Sequence, residues 1–206
     1  NKGLLTKDAV NEIRKLARGK QAMALGPGLG TAEETRTLVH DLVKTIDLPM
    51  VIDADGLNCL ANHPEILKQK KGRLILTPHP GEMSRLCGRS TADIQADRIA
   101  TASEFAQNHD LILVLKGAQT VISLPDGRSY ICPTGNPGMA SGGMGDVLTG
   151  MIAGFCAQGM AMEEAALSGV FIHGFCADLL AEKIGPFGFL ASDLTDHIPQ
   201  AIHRLL

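Results

Sequence analysis

Residues 136–146 read NPGMASGGMGD and pass directly into the apolar helical pattern VLTGMIAGFCA at residues 147–157. Residues 135–145 contain five glycines. A glycine-rich turn at the start of a helix leaves several backbone N–H groups without partners, and the helix dipole adds positive potential at the same point. The segment therefore predicts an anion-binding site suited to phosphate, unless the glycines serve only as a helix cap.

Asp146 follows this glycine-rich turn and lies in the first turn of the predicted helix, over residues 146–157. The helix dipole favours the ionised form of a carboxyl group at that position. A carboxylate beside a phosphate-binding loop can act as a general base on an attacking hydroxyl. Asp146 is thus the candidate catalytic group; the alternative is an acid that only stabilises the helix start.

Short apolar strands and amphipathic helices alternate through most of the chain. Near-continuous apolar strands are typical of a parallel sheet that helices cover on both faces. The predicted strands are residues 22–25, 49–52, 73–77 and 111–115, with a hairpin over 121–132. The predicted helices are residues 31–46, 90–108, 146–157, 163–184 and 193–206, the last interrupted or kinked near Pro199. The pattern predicts an α/β fold.

Polar or glycine-rich loops follow the predicted strands, and ligands of open α/β sheets bind outside the carboxyl ends of the strands. Residues 26–30 read GPGLG, where Pro27 lacks an N–H donor, so close approach to a ligand is favoured over a dinucleotide-binding fingerprint. Asp53 and Asp55 would share a face in an extended chain. They predict a cation or donor-rich substrate between them, unless one caps a helix and the other is solvated.

Two further candidates follow the third and fourth predicted strands. His79 lies between Pro78 and Pro80, which fix the backbone around its ring and favour ligand contact, although a loop histidine is often simply exposed. Lys116 precedes Gly117 at the end of a strand, where it could contact phosphate or form a structural ion pair.

The composition excludes several classes of protein. With 206 residues, 45% of them hydrophobic and 20% charged, the chain is neither disordered nor fibrous. A net charge of -3 argues against a nucleic-acid partner. We expect no membrane association, because no apolar run looks long enough and no signal-peptide pattern opens the chain, and we expect a cytoplasmic location. The five scattered cysteines predict buried, reduced thiols.

Five motifs, taken in order, closely resemble those of the nucleotide-dependent NAD(P)H-hydrate dehydratase family. They are GPGLG (26–30), VIDADGLN (51–58), LTPHPGE (76–82), VLKGAQT (114–120) and NPGMASGGMGDVLTG (136–150). A GxGD pattern alone would indicate only the wider kinase group, whereas the full series is specific. The resemblance implies a ribokinase-like three-layer α/β sandwich, with a mostly parallel sheet and helices on both faces.

The resemblance also implies an activity. The enzyme would use ADP, favoured over ATP, with Mg²⁺ to dehydrate the S epimer of hydrated NADH or NADPH, releasing AMP and phosphate. Asp146 would deprotonate the ring hydroxyl that receives the phosphoryl group. Two alternatives stay open: a small-molecule kinase of the ribokinase-like group, and a catalytically silent nucleotide-binding module.

The site residues that the resemblance implies form two sets. The hydrated dinucleotide would contact Gly28, His79, Pro80, Gly81, Glu82, Met83, Ser84, Arg85 and Asp146. The nucleotide would contact Lys116, Gly117, Ala118, Gln119, Thr120, Asn136, Pro137, Gly138, Met139, Ala140, Ser141, Gly142, Gly143, Met144 and Gly145. Asp53, Asp55 and Asn58 are candidates for contacts to substrate or metal-bound water, and no residue is assigned as a direct metal ligand.

We expect residues 1–206 to form one dehydratase domain without the N-terminal strand and glycine-rich turn that the family carries. The resemblance suggests a homotetramer.

Overall fold

A single six-stranded sheet organises the protein. The computed structural model describes residues 5–206, so residues 1–4 of the expected domain lie outside the described residues. The strands are β1 (Met23–Leu25), β2 (Met50–Ile52), β3 (Leu74–Leu76), β4 (Ile112–Leu115), β5 (Val121–Ser123) and β6 (Ser129–Ile131), adjacent in chain order. Strands β1 to β4 are parallel, and β5 and β6 add an antiparallel hairpin. The predicted sheet is confirmed.

Helices occupy most of the remaining described chain. They are α1 (Val10–Leu16), α2 (Glu33–Thr45), α3 (Ala54–Leu60), α4 (Pro64–Lys68), α5 (Pro80–Cys87), α6 (Thr91–Ala96), α7 (Arg98–His109), α8 (Met144–Ala157), α9 (Met162–Ile184) and α10 (Ala191–Leu205). Short 3-10 helices cover Lys7–Ala9 and Pro137–Met139.

The strand order explains the three layers. Parallel strands that follow the chain order through right-handed crossovers place their connecting helices on one face of the sheet. Ile52 and Leu76 accordingly pack with Leu38 and Leu42 of α2 on that face. Val51 and Ile75, on alternate positions, pack on the other face with residues of α8 and α9. The later helices therefore cover the face that the crossovers leave open, which gives the ribokinase-like sandwich.

The structure divides one predicted helix and adds several short ones. The helix predicted over residues 90–108 is two helices, because Asp97 leaves helical geometry and caps α7, its carboxylate accepting from the N–H of Ala100 at 2.9 Å. Ser90 caps the first of them, α6, by accepting from the N–H of Asp93 at 3.1 Å. Helices α1, α3, α4 and α5 were not predicted, since each spans eight residues or fewer and gives a weak periodic signal.

Helix α10 continues through Pro199 without interruption. Pro199 has no N–H to donate to the carbonyl of Thr195. Because Thr195 is exposed, water can donate a hydrogen bond to that carbonyl instead.

Helix α9 corrects the expectation that no apolar stretch is long enough to cross a bilayer. An 18-residue stretch within its 23 residues reaches a mean hydropathy of 1.3, sufficient by length and composition alone. Unbroken apolar runs in the sequence are short, because the apolar residues of α9 are interspersed with small and polar ones. Because 61% of this stretch is buried and the helix packs against α8 and α10, it is the core helix of its layer.

The cysteine prediction is confirmed with one exception. All five cysteines are free, and Cys59, Cys132, Cys156 and Cys176 are buried, whereas Cys87 is half-buried. Burial raises the pKa of Cys59 and of Cys176 to about 11, which keeps both thiols protonated at neutral pH.

Replacing Gly26 by alanine should destabilise the fold severely. Gly26 has φ +137°, and an added Cβ would overlap the carbonyl oxygen of Asp53 where the loop after β1 crosses the end of β2. We expect Gly26→Ala to lower the free energy of unfolding by about 3 kcal/mol or more, or to prevent folding. Urea unfolding measures this.

The control for this prediction is Gly19→Ala, because Gly19 also has a positive φ, +71°, but meets nothing within 4 Å. It should cost only about 1 kcal/mol, for the backbone conformation alone. Equal losses in the two variants would contradict the steric argument.

Candidate active site

The loops predicted to carry chemistry meet at the carboxyl edge of the parallel strands. The strands β1 to β4 end immediately before Gly26, Asp53, Thr77 and Lys116. The glycine-rich segment reaches the same edge, because a Cβ added to Gly145 would lie 3.2 Å from both Asp53 Oδ2 and Lys116 Nζ. Segments distant in sequence thus surround one site.

A buried carboxylate, that of Asp53, lies at the centre of this edge. The side chain of Asp53 is only 1% exposed. Its Oδ1 accepts a hydrogen bond from Lys116 Nζ at 2.6 Å, and its Oδ2 accepts one from Thr149 Oγ1 at 3.0 Å. Glu82 Oε2 lies 3.8 Å from the same ammonium. Burying a carboxylate is costly unless it is paired, so Asp53 depends on Lys116 and Thr149.

Lys116 therefore forms a structural ion pair with Asp53, which was one of the two roles that its sequence position predicted. Its side chain keeps 20% exposure. The ammonium lies between two buried carboxylates and has residual access to solvent, so it can approach a ligand at this edge without leaving Asp53.

The expected common face for Asp53 and Asp55 is wrong, because the chain does not stay extended. Helix α3 begins at Ala54, which has φ +48°. Asp55 instead accepts a hydrogen bond from the N–H of Gly30 at 2.8 Å and so fixes the end of the GPGLG loop. Each carboxylate has its own protein donors, and the two do not depend on a shared cation.

The start of α8 has the properties expected of an anion-binding site. Gly143 is the N-cap, in the left-handed conformation at φ 86°, and provides no capping side chain. The N–H groups of Met144, Gly145 and Asp146 have no intrahelical acceptor, because they belong to the first turn. The side chain of Asp146 is exposed beside them. The helix thus presents backbone donors and one carboxylate to the same volume.

Side chains from α9 and the loop after it support the glycine-rich segment. Asp178 accepts from Gly135 N and from Asn136 Nδ2, each at 2.9 Å. The Asn136 side chain in turn accepts from the N–H of Gly138 at 3.0 Å. Phe189, which is 1% exposed, packs so closely on Gly138 that a Cβ there would lie 2.5 Å from its ring. Asp178 and Phe189 therefore fix the position of the glycine-rich segment.

The HPGE motif begins helix α5. His79 is the N-cap, and its Nδ1 accepts from Gly81 N at 3.0 Å and Glu82 N at 3.4 Å. Glu82 completes a capping box by accepting from the N–H of His79 at 2.8 Å. The cap uses Nδ1, whereas Nε2 lies 3.6 Å from Glu82 Oε1 on a ring whose side chain is 52% exposed, so the ring can still be reached by a ligand.

The remaining residues of the predicted dinucleotide set differ in exposure. Arg85 is exposed and donates to Asn58 Oδ1 at 2.8 Å, which links two of the predicted contacts. Met83 is an exception: its side chain is fully buried in the core, so it does not line the surface as expected. The helical period places it on the inner face of α5, opposite the exposed Arg85 side.

The KGAQT loop is fixed by Arg98, a residue that no sequence pattern indicated. Its guanidinium donates to the carbonyl of Ala118 at 2.7 Å and to that of Leu115 at 2.9 Å. Gly117 lies against the same guanidinium. These hydrogen bonds restrict the conformation of the loop that follows β4.

Sequence reasoning also missed Thr149, His173 and Asp178, which all support the site from α8 and α9. A sequence signal was present for two of them, because His173 and Asp178 are polar residues within the otherwise apolar stretch of α9. Thr149 lies in the apolar pattern of α8 and gave no such signal.

His173 is a buried histidine beneath the start of α8. Its side chain is 5% exposed, and its Nε2 has no hydrogen-bond partner among the described residues. Burial is the main cause that lowers its pKa to about 4; the charge of Lys116 also lowers the pKa, and the backbone of Met144 opposes the shift. The imidazole is therefore neutral at physiological pH.

Comparison with known proteins identifies the family of this chain. The family model of NAD(P)H-hydrate dehydratases matches residues 3–200. The chain belongs to this family.

Relatives within the family are longer than this chain. The bifunctional NAD(P)H-hydrate repair enzyme of Moorella thermoacetica is 44% identical over 203 residues, which cover 98% of this chain and 38% of that protein. The ADP-dependent (S)-NAD(P)H-hydrate dehydratase of Bacillus subtilis is 40% identical over 184 residues, 89% of this chain and 64% of that protein. The chain thus spans under two fifths of the bifunctional relative and under two thirds of the B. subtilis relative.

Solved structures agree with the fold. A B. subtilis ADP/ATP-dependent NAD(P)H-hydrate dehydratase, co-crystallised with ATP/Mg²⁺ and soaked with CoA, gives a TM-score of 0.81 at 37% identity, covering 93% of this chain and 71% of that chain. A ribokinase-like superfamily protein of Enterococcus faecalis gives a TM-score of 0.79 at 23% identity, covering 96% of this chain and 68% of that chain, which shows the ribokinase-like fold alone.

The resemblance implies Mg²⁺, and this expectation can be compared with the donors at the site. Among residues 5–206, no group of three or more His, Cys, Asp and Glu side chains is arranged to hold a metal ion. Mg²⁺ usually keeps several waters and binds through substrate phosphates and one or two carboxylates, so a site without a protein cage fits it.

The burial of His173 should make the protein less stable as the pH falls. The folded-state pKa of about 4 lies below the unfolded value of about 6.5, so the unfolded chain binds the proton more readily. Stability is full above pH 6.5 and should decline by roughly 3 kcal/mol as the pH falls through the folded pKa. Urea unfolding across this range measures the slope.

His173→Gln should remove most of that slope, because glutamine does not titrate. His203→Gln, at an exposed position on α10, is the matched control and should leave the slope unchanged. An identical pH dependence in the unaltered protein and His173→Gln would contradict the assignment.

Proposed function

We propose that the chain is an ADP-dependent NAD(P)H-hydrate dehydratase. It acts on the S epimer of hydrated NADH or NADPH and releases NADH or NADPH, AMP and phosphate. The observation that carries this proposal is the exposed Asp146 at the uncapped, glycine-rich start of α8, at the same edge as the His79 and Lys116 loops. Family membership supports the choice of substrate.

Asp146 acts as the general base in the first step. Its carboxylate is exposed and free to accept the proton of the substrate's ring hydroxyl. The resulting oxygen nucleophile attacks the terminal phosphorus of ADP, so a new O–P bond forms and the bond to AMP breaks. The products of this step are AMP and the phosphorylated hydrate.

The N–H groups at the start of α8 stabilise the transferring group. Phosphoryl transfer spreads negative charge over the equatorial oxygens, and preorganised donors at that position lower the barrier. Met144, Gly145 and Asp146 provide these N–H groups. Mg²⁺, when bound with the nucleotide, neutralises phosphate charge.

The second step is elimination. Hydroxide is a poor leaving group, whereas phosphate is a good one, so phosphorylation prepares the C–O bond for cleavage. The lone pair of the ring nitrogen assists the departure of phosphate, and loss of a ring proton then restores the dihydronicotinamide. The exposed face of His79 and the Arg85 side chain contact the dinucleotide around this reaction.

Finer properties follow from the family resemblance. We assign ADP over ATP as the co-substrate because the B. subtilis relative at 40% identity carries the name ADP-dependent, although a solved relative is described as ADP/ATP-dependent. We also assign residues 1–206 to one dehydratase domain, and we assign a homotetramer and a cytoplasmic location. Size-exclusion chromatography with light scattering tests the oligomeric state.

Replacing Asp146 by asparagine should abolish turnover while sparing nucleotide binding. Asparagine keeps the shape and removes the proton acceptor, so we expect kcat to fall by about 10²- to 10⁴-fold. The assay mixes the protein with separated S and R epimers of hydrated NADH, with Mg²⁺ and either ADP or ATP, and follows reduced-nicotinamide absorbance. Asp196→Asn, at an exposed position on α10, is the control and should keep full activity.

Three outcomes separate the hypotheses. Absence of recovery by the unaltered protein with either nucleotide would overturn the dehydratase. Full activity of Asp146→Asn would remove Asp146 from the role of base. Phosphorylation of a vitamin precursor or sugar without dehydration would favour the small-molecule kinase.

A further inference from the structure

We propose that Thr149 is a positioning residue that holds Asp146 in place for proton abstraction, through its hydrogen bond to Asp53. The inference rests on the proposed function, because it concerns the base of that reaction. Thr149 touches neither substrate nor nucleotide in this role and acts through the first turn of α8.

The bond between Thr149 and Asp53 is buried on both sides. Thr149 Oγ1 donates to Asp53 Oδ2 at 3.0 Å, and each residue is only 1% exposed. A hydrogen bond to an ionised carboxylate is stronger than one between neutral groups, and exclusion of water strengthens it further. It joins positions 96 residues apart.

Asp53 is a fixed point in the sheet. Its backbone N–H donates to the carbonyl of Leu25 at 3.1 Å, at the end of the β1–β2 pair, and its Oδ1 is held by Lys116 at 2.6 Å. The carboxylate therefore has little freedom of its own. A group that bonds to Oδ2 is therefore fixed relative to β1, β2 and the end of β4.

The geometry of a helix transmits this constraint to Asp146. Thr149 follows Asp146 by three positions, which places it about 4.5 Å along the axis and about 60° around it. Gly145 is already against Asp53 and Lys116, with a Cβ there 3.2 Å from an atom of each. The close approach at Gly145 and the bond at Thr149 together restrict sliding and rotation of the first turn over the sheet.

The choice of acceptor also distinguishes Thr149 from an ordinary helical threonine. A threonine inside a helix commonly bonds to the carbonyl four residues earlier. Thr37, Thr45 and Thr195 each do so in this protein. Thr149 donates to another element instead, which is the arrangement expected of a residue that fixes a helix in place.

The test compares Thr149→Val with Thr149→Ser. Valine has the shape of threonine without the donor, whereas serine keeps the donor and loses a methyl group. A misplacement of about 1 Å can cost roughly 10²-fold in rate, so we expect Thr149→Val to lower kcat by at least about tenfold. The KM for ADP should change by less than about threefold, and Thr149→Ser should keep kcat within about threefold of the unaltered protein.

Thr101→Val is the matched control, because Thr101 is a buried threonine of α7, 4% exposed and outside the site. It exchanges the same groups and should leave kcat unchanged. Thermal unfolding of every variant establishes that each assay is run on folded protein.

The outcomes distinguish the two proposals. If the unaltered protein does not dehydrate hydrated NADH, the proposed function fails, and the positioning role fails with it. If the unaltered protein is active and Thr149→Val keeps kcat within about twofold, only the positioning role is overturned. Equal losses of kcat in the serine and valine variants would also overturn it, because the hydroxyl would then not be the group that acts.

Discussion

The carboxylate of Asp53 is the constraint on which this site depends. It is buried at the end of β2 and would be strongly disfavoured there without the ammonium of Lys116 and the hydroxyl of Thr149. Lys116 follows the end of β4 and Thr149 lies in α8. Stabilising this one charge therefore brings together the central strands and the helix that begins at the glycine-rich loop. The same interaction that stabilises the charge therefore assembles the site.

The site is formed between the two helical layers of the protein. Helices α3 and α5, on the face that the crossovers cover, contribute Asn58, His79 and Glu82. Helix α8, on the opposite face, contributes its N-terminal N–H groups and Asp146. The sheet edge between the layers provides Asp53 and Lys116. A ligand bound at this edge would contact both layers, and its binding would depend on how they are placed across the sheet.

Much of the fold could be predicted from the sequence, because strands buried on both faces appear as short apolar runs and the hairpin carries its turn residues. The glycine-rich loop was predictable for the same local reason, since its five glycines fall within the eleven residues 135–145. The partners of Asp53 were not, because Lys116 and Thr149 lie 63 and 96 residues away and no local pattern encodes such a pairing. The predicted placement of Asp55 beside Asp53 was wrong, because a seven-residue helix that starts at Ala54 gives almost no periodic signal in the sequence.

The contact between Phe189 and Gly138 bears on the order in which the chain matures during synthesis. Phe189 leaves the ribosome about fifty residues after Gly138, and it is the residue that supports the glycine-rich segment from below. The sheet and its crossover helices can assemble first, since a chain folds progressively as it emerges. The glycine-rich loop lacks this support until Phe189 has emerged, so a nascent chain stalled before that residue would hold its strands without a finished candidate site.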